Sequence, residues 1–164
     1  MPNTSKKALR LPLSLPLKLA NAIVWVTLAS MSASTRAEGE PIVGPWKTID
    51  DKTNRPKSII QIDLVDNQLQ GKVIKLFREA GEDPTPVCEA CKDHRKDKPV
   101  LGMTILSGLK KSSPTVWEGG EILDPGNGSV YKVKLALAPD GKSLSVRGYL
   151  GIPVLGRTQT WVRE

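Results

Sequence analysis

The stretch YKVKLALAPDGKSLSVRGYL, Tyr131 to Leu150, decides the fold. Tyr131, Val133, Leu135 and Leu137 alternate with Lys132 and Lys134. Leu144, Val146 and Leu150 share a face with Gly148, opposite Ser143, Ser145, Arg147 and Tyr149. Successive side chains of a strand point to opposite faces, so an apolar period of two marks a half-buried strand. Between the two runs lies Pro139-Asp140-Gly141-Lys142, which is turn chemistry. Two strands joined by a short turn make an antiparallel hairpin.

The same pattern extends outward in both directions. Ile60, Ile62 and Leu64 alternate with Gln61 and Asp63. Turn signals recur at Asp50-Asp51-Lys52-Thr53-Asn54, Asp66-Asn67, Ser112-Ser113-Pro114 and Asp124-Pro125-Gly126-Asn127-Gly128. Eight strands are expected, near 43–49, 57–65, 68–77, 100–108, 115–123, 129–138, 143–151 and 154–163. The short connections imply an up-and-down antiparallel order. A flat sheet of eight strands would leave two edges and one apolar face uncovered. Closure into a barrel removes both problems, with a two-sheet sandwich as the alternative. Gly71, Gly119, Gly120, Gly148 and Gly156 fall inside strands, where a small barrel needs bends and bulges. Residues 78–99 interrupt the rhythm as a long charged loop that carries both cysteines.

The net charge of +7 belongs mainly to the N-terminal segment. Lys6, Lys7, Arg10, Lys18 and Arg36 lie within residues 1–37, which contain no acid; the 19 remaining basic residues face 17 acidic ones. A basic binding stripe for nucleic acid is therefore not expected on the domain. The leader has the parts of a secretory signal: a positive n-region, an 11-residue apolar run from Leu19 to Ala29, and Thr35-Arg36-Ala37 as a small-x-small cleavage site. The run falls short of the ~18–20 residues of a membrane span. An uncleaved anchor or an amphipathic N-terminal helix is the alternative. No cysteine precedes Cys88, so a lipid anchor is not expected. Residues 1–37 are thus read as a signal peptide and 38–164 as one β-barrel domain, exported to the periplasm or secreted.

Gly44-Pro45-Trp46, at the start of the first strand, matches the G-x-W of lipocalin-like barrels. In such barrels the Trp closes one end and a basic residue of the last strand packs across it. Arg157 and Arg163, on either side of Trp161, are the candidates, and Trp46 with Arg163 is the closure expected here. Three blocks are more specific: Cys88-Glu89-Ala90-Cys91, Gly119 through Gly128, and Leu144 through Gly151 continuing from Gly156 to Trp161. Through them, residues 41–164 resemble the bacterial exported family known as domain of unknown function 2147. The resemblance implies a single eight-stranded antiparallel barrel of the lipocalin-like, calycin type in the bacterial envelope. It implies no reaction.

Outside the cytoplasm, Cys88 and Cys91 are expected to form a disulfide. The ring is small, so the bridge adds only about 2 kcal/mol by loop entropy. Thiol redox catalysis needs a stabilised thiolate, and Glu89 beside Cys88 works against one. Lys92 follows Cys91, so the Cys-x-x-Cys-His of a c-type haem is absent. Zinc would draw on Cys88, Cys91 and His94 with Asp93, Asp97 or Glu89, but His94 is the only histidine and no second C-x-x-C exists. No G-x-S-x-G elbow occurs, and of the carboxylates Glu118, Glu121 and Asp124, Glu118 and Asp124 share a strand face only if no bulge forms at Gly119-Gly120. No catalytic residue, metal or cofactor is expected.

The last two strands leave a choice of faces. Arg157, Gln159, Trp161 and Arg163 share one face of the last strand; Val154, Thr158, Thr160 and Val162 share the other. Arg147 and Tyr149 likewise stand together. An inward guanidinium would need a partner or an anionic headgroup. The expected function is binding of a small apolar or amphipathic ligand in the barrel, with Arg147, Tyr149, Arg157, Trp117 and Tyr131 as contacts. One alternative is a structural or interaction protein of the envelope with a filled barrel and a partner near the 78–99 loop. The other is a metal or thiol-redox protein using Cys88, Cys91 and His94.

Overall fold

The structure is a computed structural model and describes residues 39–164. The signal peptide expected over 1–37 lies outside the described residues. Eight strands follow one another: β1 (Gly44–Ile49), β2 (Pro56–Val65), β3 (Gln68–Leu76), β4 (Thr104–Ser113), β5 (Val116–Asp124), β6 (Ser129–Leu137), β7 (Ser143–Tyr149) and β8 (Arg157–Arg163). Each pairs antiparallel with the next, and β8 returns to β1. The cycle is a closed barrel, not the sandwich that the strand pattern also allowed. Among the described residues no helix is long and apolar enough to cross a membrane.

The hairpin that decides the fold pairs as its alternation requires, with Leu135 opposite Val146 and Leu137 opposite Leu144. These four are buried in the barrel core together with Ile60, Ile62, Leu69, Val73, Leu106 and Leu109. The carboxylate parity is also settled. β5 shifts register between Trp117 and Gly120, where a side chain would meet Ser107 O at 2.4 Å. Glu118 and Glu121 each face a β6 lysine, Lys134 at 3.3 Å and Lys132 at 2.8 Å. Asp124 instead accepts from Gly126 N and Asn127 Nδ2 and forms the β5–β6 turn.

β4 departs from expectation. It starts at Thr104, not near residue 100, and runs on to Ser113. Val100 to Met103 read as strand because three of the four are apolar. Gly102, at φ 85°, turns the chain there, and Met103 N donates to Val100 O. β8 begins at Arg157, because residues 150–156 form a loop with a single 3-10 turn at Pro153–Leu155.

The up-and-down order sorts the connections between two ends. The β2–β3, β4–β5 and β6–β7 turns and residues 39–43 lie at one end. The β1–β2, β3–β4, β5–β6 and β7–β8 connections surround the other. The 78–99 loop is folded tightly at that second end. Val87 and Pro99 form a β-bridge, and Cys88 exchanges backbone hydrogen bonds with Lys98 O and Asp97 N. The Cys88 and Cys91 sulfurs lie at disulfide distance, and both residues are buried in the core cluster. This loop rests on the β5–β6 turn at Gly128, whose φ is 69°. A Cβ there would sit 1.9 Å from Ala90 O and 2.8 Å from Cys91 N, both backbone atoms that cannot swing aside. Gly128→Ala is therefore expected to lower stability by about 3 kcal/mol in chemical denaturation. A loss below about 0.5 kcal/mol would mean that the cysteine loop is not seated on this turn.

Candidate functional site: a cavity at one end of the barrel

The end that carries residues 39–43 and the β2–β3, β4–β5 and β6–β7 turns is sealed. Trp46 is wholly buried, and its Nε1 donates to Ile42 O at 2.8 Å. The Arg163 guanidinium lies over the Trp46 ring, 4.1 Å from its centroid. It donates to the carbonyls of Val43 and Gly141, at 3.0 and 3.2 Å, and to that of Pro41. Desolvation pushes the Arg163 pKa down from its ordinary value, and the stacked indole and three carbonyls are what keep a cation tolerable there.

The opposite end opens into a cavity of about 510 Å³. That lies within the range of about 300–1,000 Å³ usual for small-molecule sites. Its aliphatic walls are Ile105 of β4, Ile122 and Leu123 of β5, and Val146 of β7. Trp161 of β8, Thr48 of β1 and Ser58 of β2 also line it and are buried. The β1–β8 register explains their meeting: Trp46 pairs with Arg163 and Lys47 with Val162, which brings Thr48 beside Trp161. Thr48 is also opposite Ser58. The two hydroxyls are 2.8 Å apart, and Ser58 N donates to Thr48 Oγ1 at 3.1 Å. Trp161 is 2% exposed, and its Nε1 has no hydrogen-bond partner.

The rim carries the charge. Arg157 pairs with Asp51 of the β1–β2 turn, and Gln159 Nε2 donates to the same carboxylate oxygen at 3.0 Å. The β1–β8 ladder has two residue pairs, and with the Glu164 N to Pro45 O hydrogen bond these backbone links lie toward the sealed end. Asp51, Arg157 and Gln159 thus bridge the upper part of that seam through side chains. Asp50, next to Asp51, accepts from Thr53 N and Lys52 N, and these turn amides hold its pKa below the usual carboxylate range.

The residues expected to contact a ligand divide three ways. Tyr131, Tyr149 and Arg157 line the cavity near its mouth. Trp117 is buried toward the sealed end, beside Lys111, and borders a separate cleft with Glu40 and the β2–β3 turn. Arg147 lies outside the barrel, because Leu144, Val146 and Gly148 take the inner face of β7. Its guanidinium binds Pro153 O at 2.7 Å, Val154 O at 3.0 Å and Thr158 Oγ1 at 2.7 Å. It positions the 150–156 loop, whose Leu150 and Leu155 form an apolar lip of the mouth. Sequence reasoning did not select Thr48, Ser58 or Gln159. A signal was available in Thr48, because β1 has so few inward positions that a hydroxyl two residues beyond Trp46 must fall inside. Among the described residues no three His, Cys, Asp or Glu side chains are grouped to hold a metal.

A closed eight-stranded up-and-down barrel, sealed at one end by a Trp–Arg stack and hollow at the other, has the lipocalin-like fold. A solved structure bears out the fold: protein HP1028 from Helicobacter pylori, described as belonging to the lipocalin family, is similar with a TM-score of 0.65. The two share 19% identity, and the match covers 75% of this chain and 82% of that one. A search of curated proteins found no match. The model of the family described as "Uncharacterized protein conserved in bacteria (DUF2147)" matches residues 44–163, and the chain belongs to that family.

Proposed function

We propose that this protein is an exported, non-catalytic binding barrel that carries a small apolar or amphipathic molecule in its open-end cavity. The observation that carries the reading is the cavity itself: about 510 Å³ of space with aliphatic walls, above a core that is otherwise packed. A barrel filled by its own side chains would serve a purely structural role without such space. The export reading rests on the leader, with its basic n-region and short apolar run. Placed in the periplasm, the domain would hold its ligand away from water during transit across an aqueous compartment.

Native mass spectrometry of the protein purified from the cells that make it tests this. The expected spectrum contains a species heavier than the chain by one small molecule, which organic solvent removes. A spectrum with the unliganded chain alone, together with no uptake of apolar compounds in vitro, would overturn the reading.

A further inference from the structure

We propose that the β7–β8 loop, residues 150–156, docks the open end of the barrel on an anionic phospholipid surface. The inference goes beyond the binding reading and does not depend on it. The loop reads Leu150-Gly151-Ile152-Pro153-Val154-Leu155-Gly156 and has no polar side chain. Leu155, Val154, Leu150 and Ile152 are 79%, 72%, 66% and 56% exposed, the four highest values of any large hydrophobic among the described residues. Scattered exposed apolar side chains are ordinary, but four in one short loop mark a contact surface. The 3-10 turn in the loop buries none of its residues, so these side chains do not serve the core. The loop is nevertheless held in one shape. Arg147 binds the Pro153 and Val154 carbonyls, Leu155 N donates to Ile152 O at 3.3 Å, and Gly156 N donates to Pro153 O at 3.0 Å. An apolar tip fixed in advance loses little conformational freedom when a partner covers it.

Size, composition and charge name that partner. The four side chains present on the order of 450 Å², about half of the ~800 Å² that each partner brings to a stable protein interface. A second copy or a folded protein would need more surface than the loop offers. A bilayer needs only an apolar tip that reaches the acyl boundary, flanked by aromatic and basic groups at headgroup level. The flanks supply those groups: Tyr149 precedes the loop, Arg157 follows it, and Arg147 stands at its foot. From Gly141 to Arg163 the chain carries no acid, so the β7–β8 hairpin has the charge that anionic headgroups attract. Asp51, paired with Arg157, offsets only part of it. Leu150 and Leu155 also line the cavity mouth, so a docked loop opens the cavity toward lipid and not toward water.

Flotation with equimolar phosphatidylcholine and phosphatidylglycerol vesicles tests this on the processed chain recovered from the cells that make it. Wild type is compared with Ile152→Glu/Val154→Glu and with Leu64→Glu/Val65→Glu, the latter pair at the β2–β3 turn on the sealed end. All the substituted residues are exposed, so both variants are expected to keep the barrel. Wild type is expected to float with the vesicles. The loop variant is expected to bind at least about thirtyfold more weakly, and the sealed-end variant to stay within about threefold of wild type. A wild type that stays in the soluble fraction, or a loop variant weakened no more than the sealed-end one, would overturn the docking assignment. So would a dimer in size-exclusion chromatography that the loop variant alone abolishes, since a second copy then covers the loop. Uptake of N-phenyl-1-naphthylamine without vesicles, measured on the same samples, reports the cavity separately. It is expected in all three proteins; its absence would end the binding reading, while flotation still decides the docking.

Discussion

Gly148→Leu is expected to abolish binding of apolar compounds and to leave the barrel folded. Gly148 lies on the inner face of β7, opposite Val133 and Arg157, and lines the cavity. A Cβ at this position would meet Tyr131 Cβ at 3.6 Å and Ile122 Cγ2 at 3.7 Å, which are ordinary contact distances. The backbone there needs no glycine, so a larger residue is admitted without strain. A leucyl side chain then fills space that a ligand would occupy. Titration with the fluorescent probe N-phenyl-1-naphthylamine should show affinity reduced by about a hundredfold or more. The thermal midpoint should hold or rise, since added apolar contact stabilises where room exists. Undiminished binding in a folded variant would place the ligand elsewhere.

Trp46→Ala is expected to be the most destabilising single change, at about 3–5 kcal/mol. Three losses coincide at this position. The largest wholly buried side chain at the sealed end is removed, leaving a void among core residues. Ile42 O loses its donor, and the Arg163 guanidinium loses the ring beneath it. That cation is then desolvated with fewer compensating contacts. Trp46→Phe separates these effects, because it keeps a ring for Arg163 and removes mainly the hydrogen bond, for about 1 kcal/mol plus a smaller packing loss. Chemical denaturation of both variants checks the ordering. A loss below about 1 kcal/mol for Trp46→Ala would mean that the stack does not seal the barrel.

How much of this was legible in the sequence depended on whether a residue's neighbours lay along the strand or across the barrel. Tyr131 to Leu150 announced a hairpin because alternation is local, and the mostly short connections implied an up-and-down order. Trp46 and Arg163 were recoverable because the G-x-W resemblance supplied the partner across the β1–β8 seam. β8 was ambiguous for a physical reason. Both of its faces carry polar residues, and the face that turns inward is the one with two arginines. That arrangement works because each charged end leaves the core: Arg157 at the mouth, Arg163 across the sealed end, with Trp161 between them. Arg147 read as a candidate anchor because nothing local shows that three carbonyl and hydroxyl acceptors await it outside. Gly102 was read through as strand interior, since a turn built on one glycine in an apolar run has no further mark. The buried Thr48–Ser58 pair and the unpartnered Trp161 nitrogen depend on three strands meeting, which no window of sequence contains.

The most direct test of the central claim is a map of where an apolar probe sits, made by following methyl resonances of the labelled protein during titration with N-phenyl-1-naphthylamine. The account predicts saturable shifts at Ile105, Ile122, Leu123 and Val146, with Leu150 and Leu155 following at the lip and Leu64 by the sealed-end cleft unmoved. Shifts centred on Leu64, shifts confined to the outer surface, or no saturable shifts at all would contradict it.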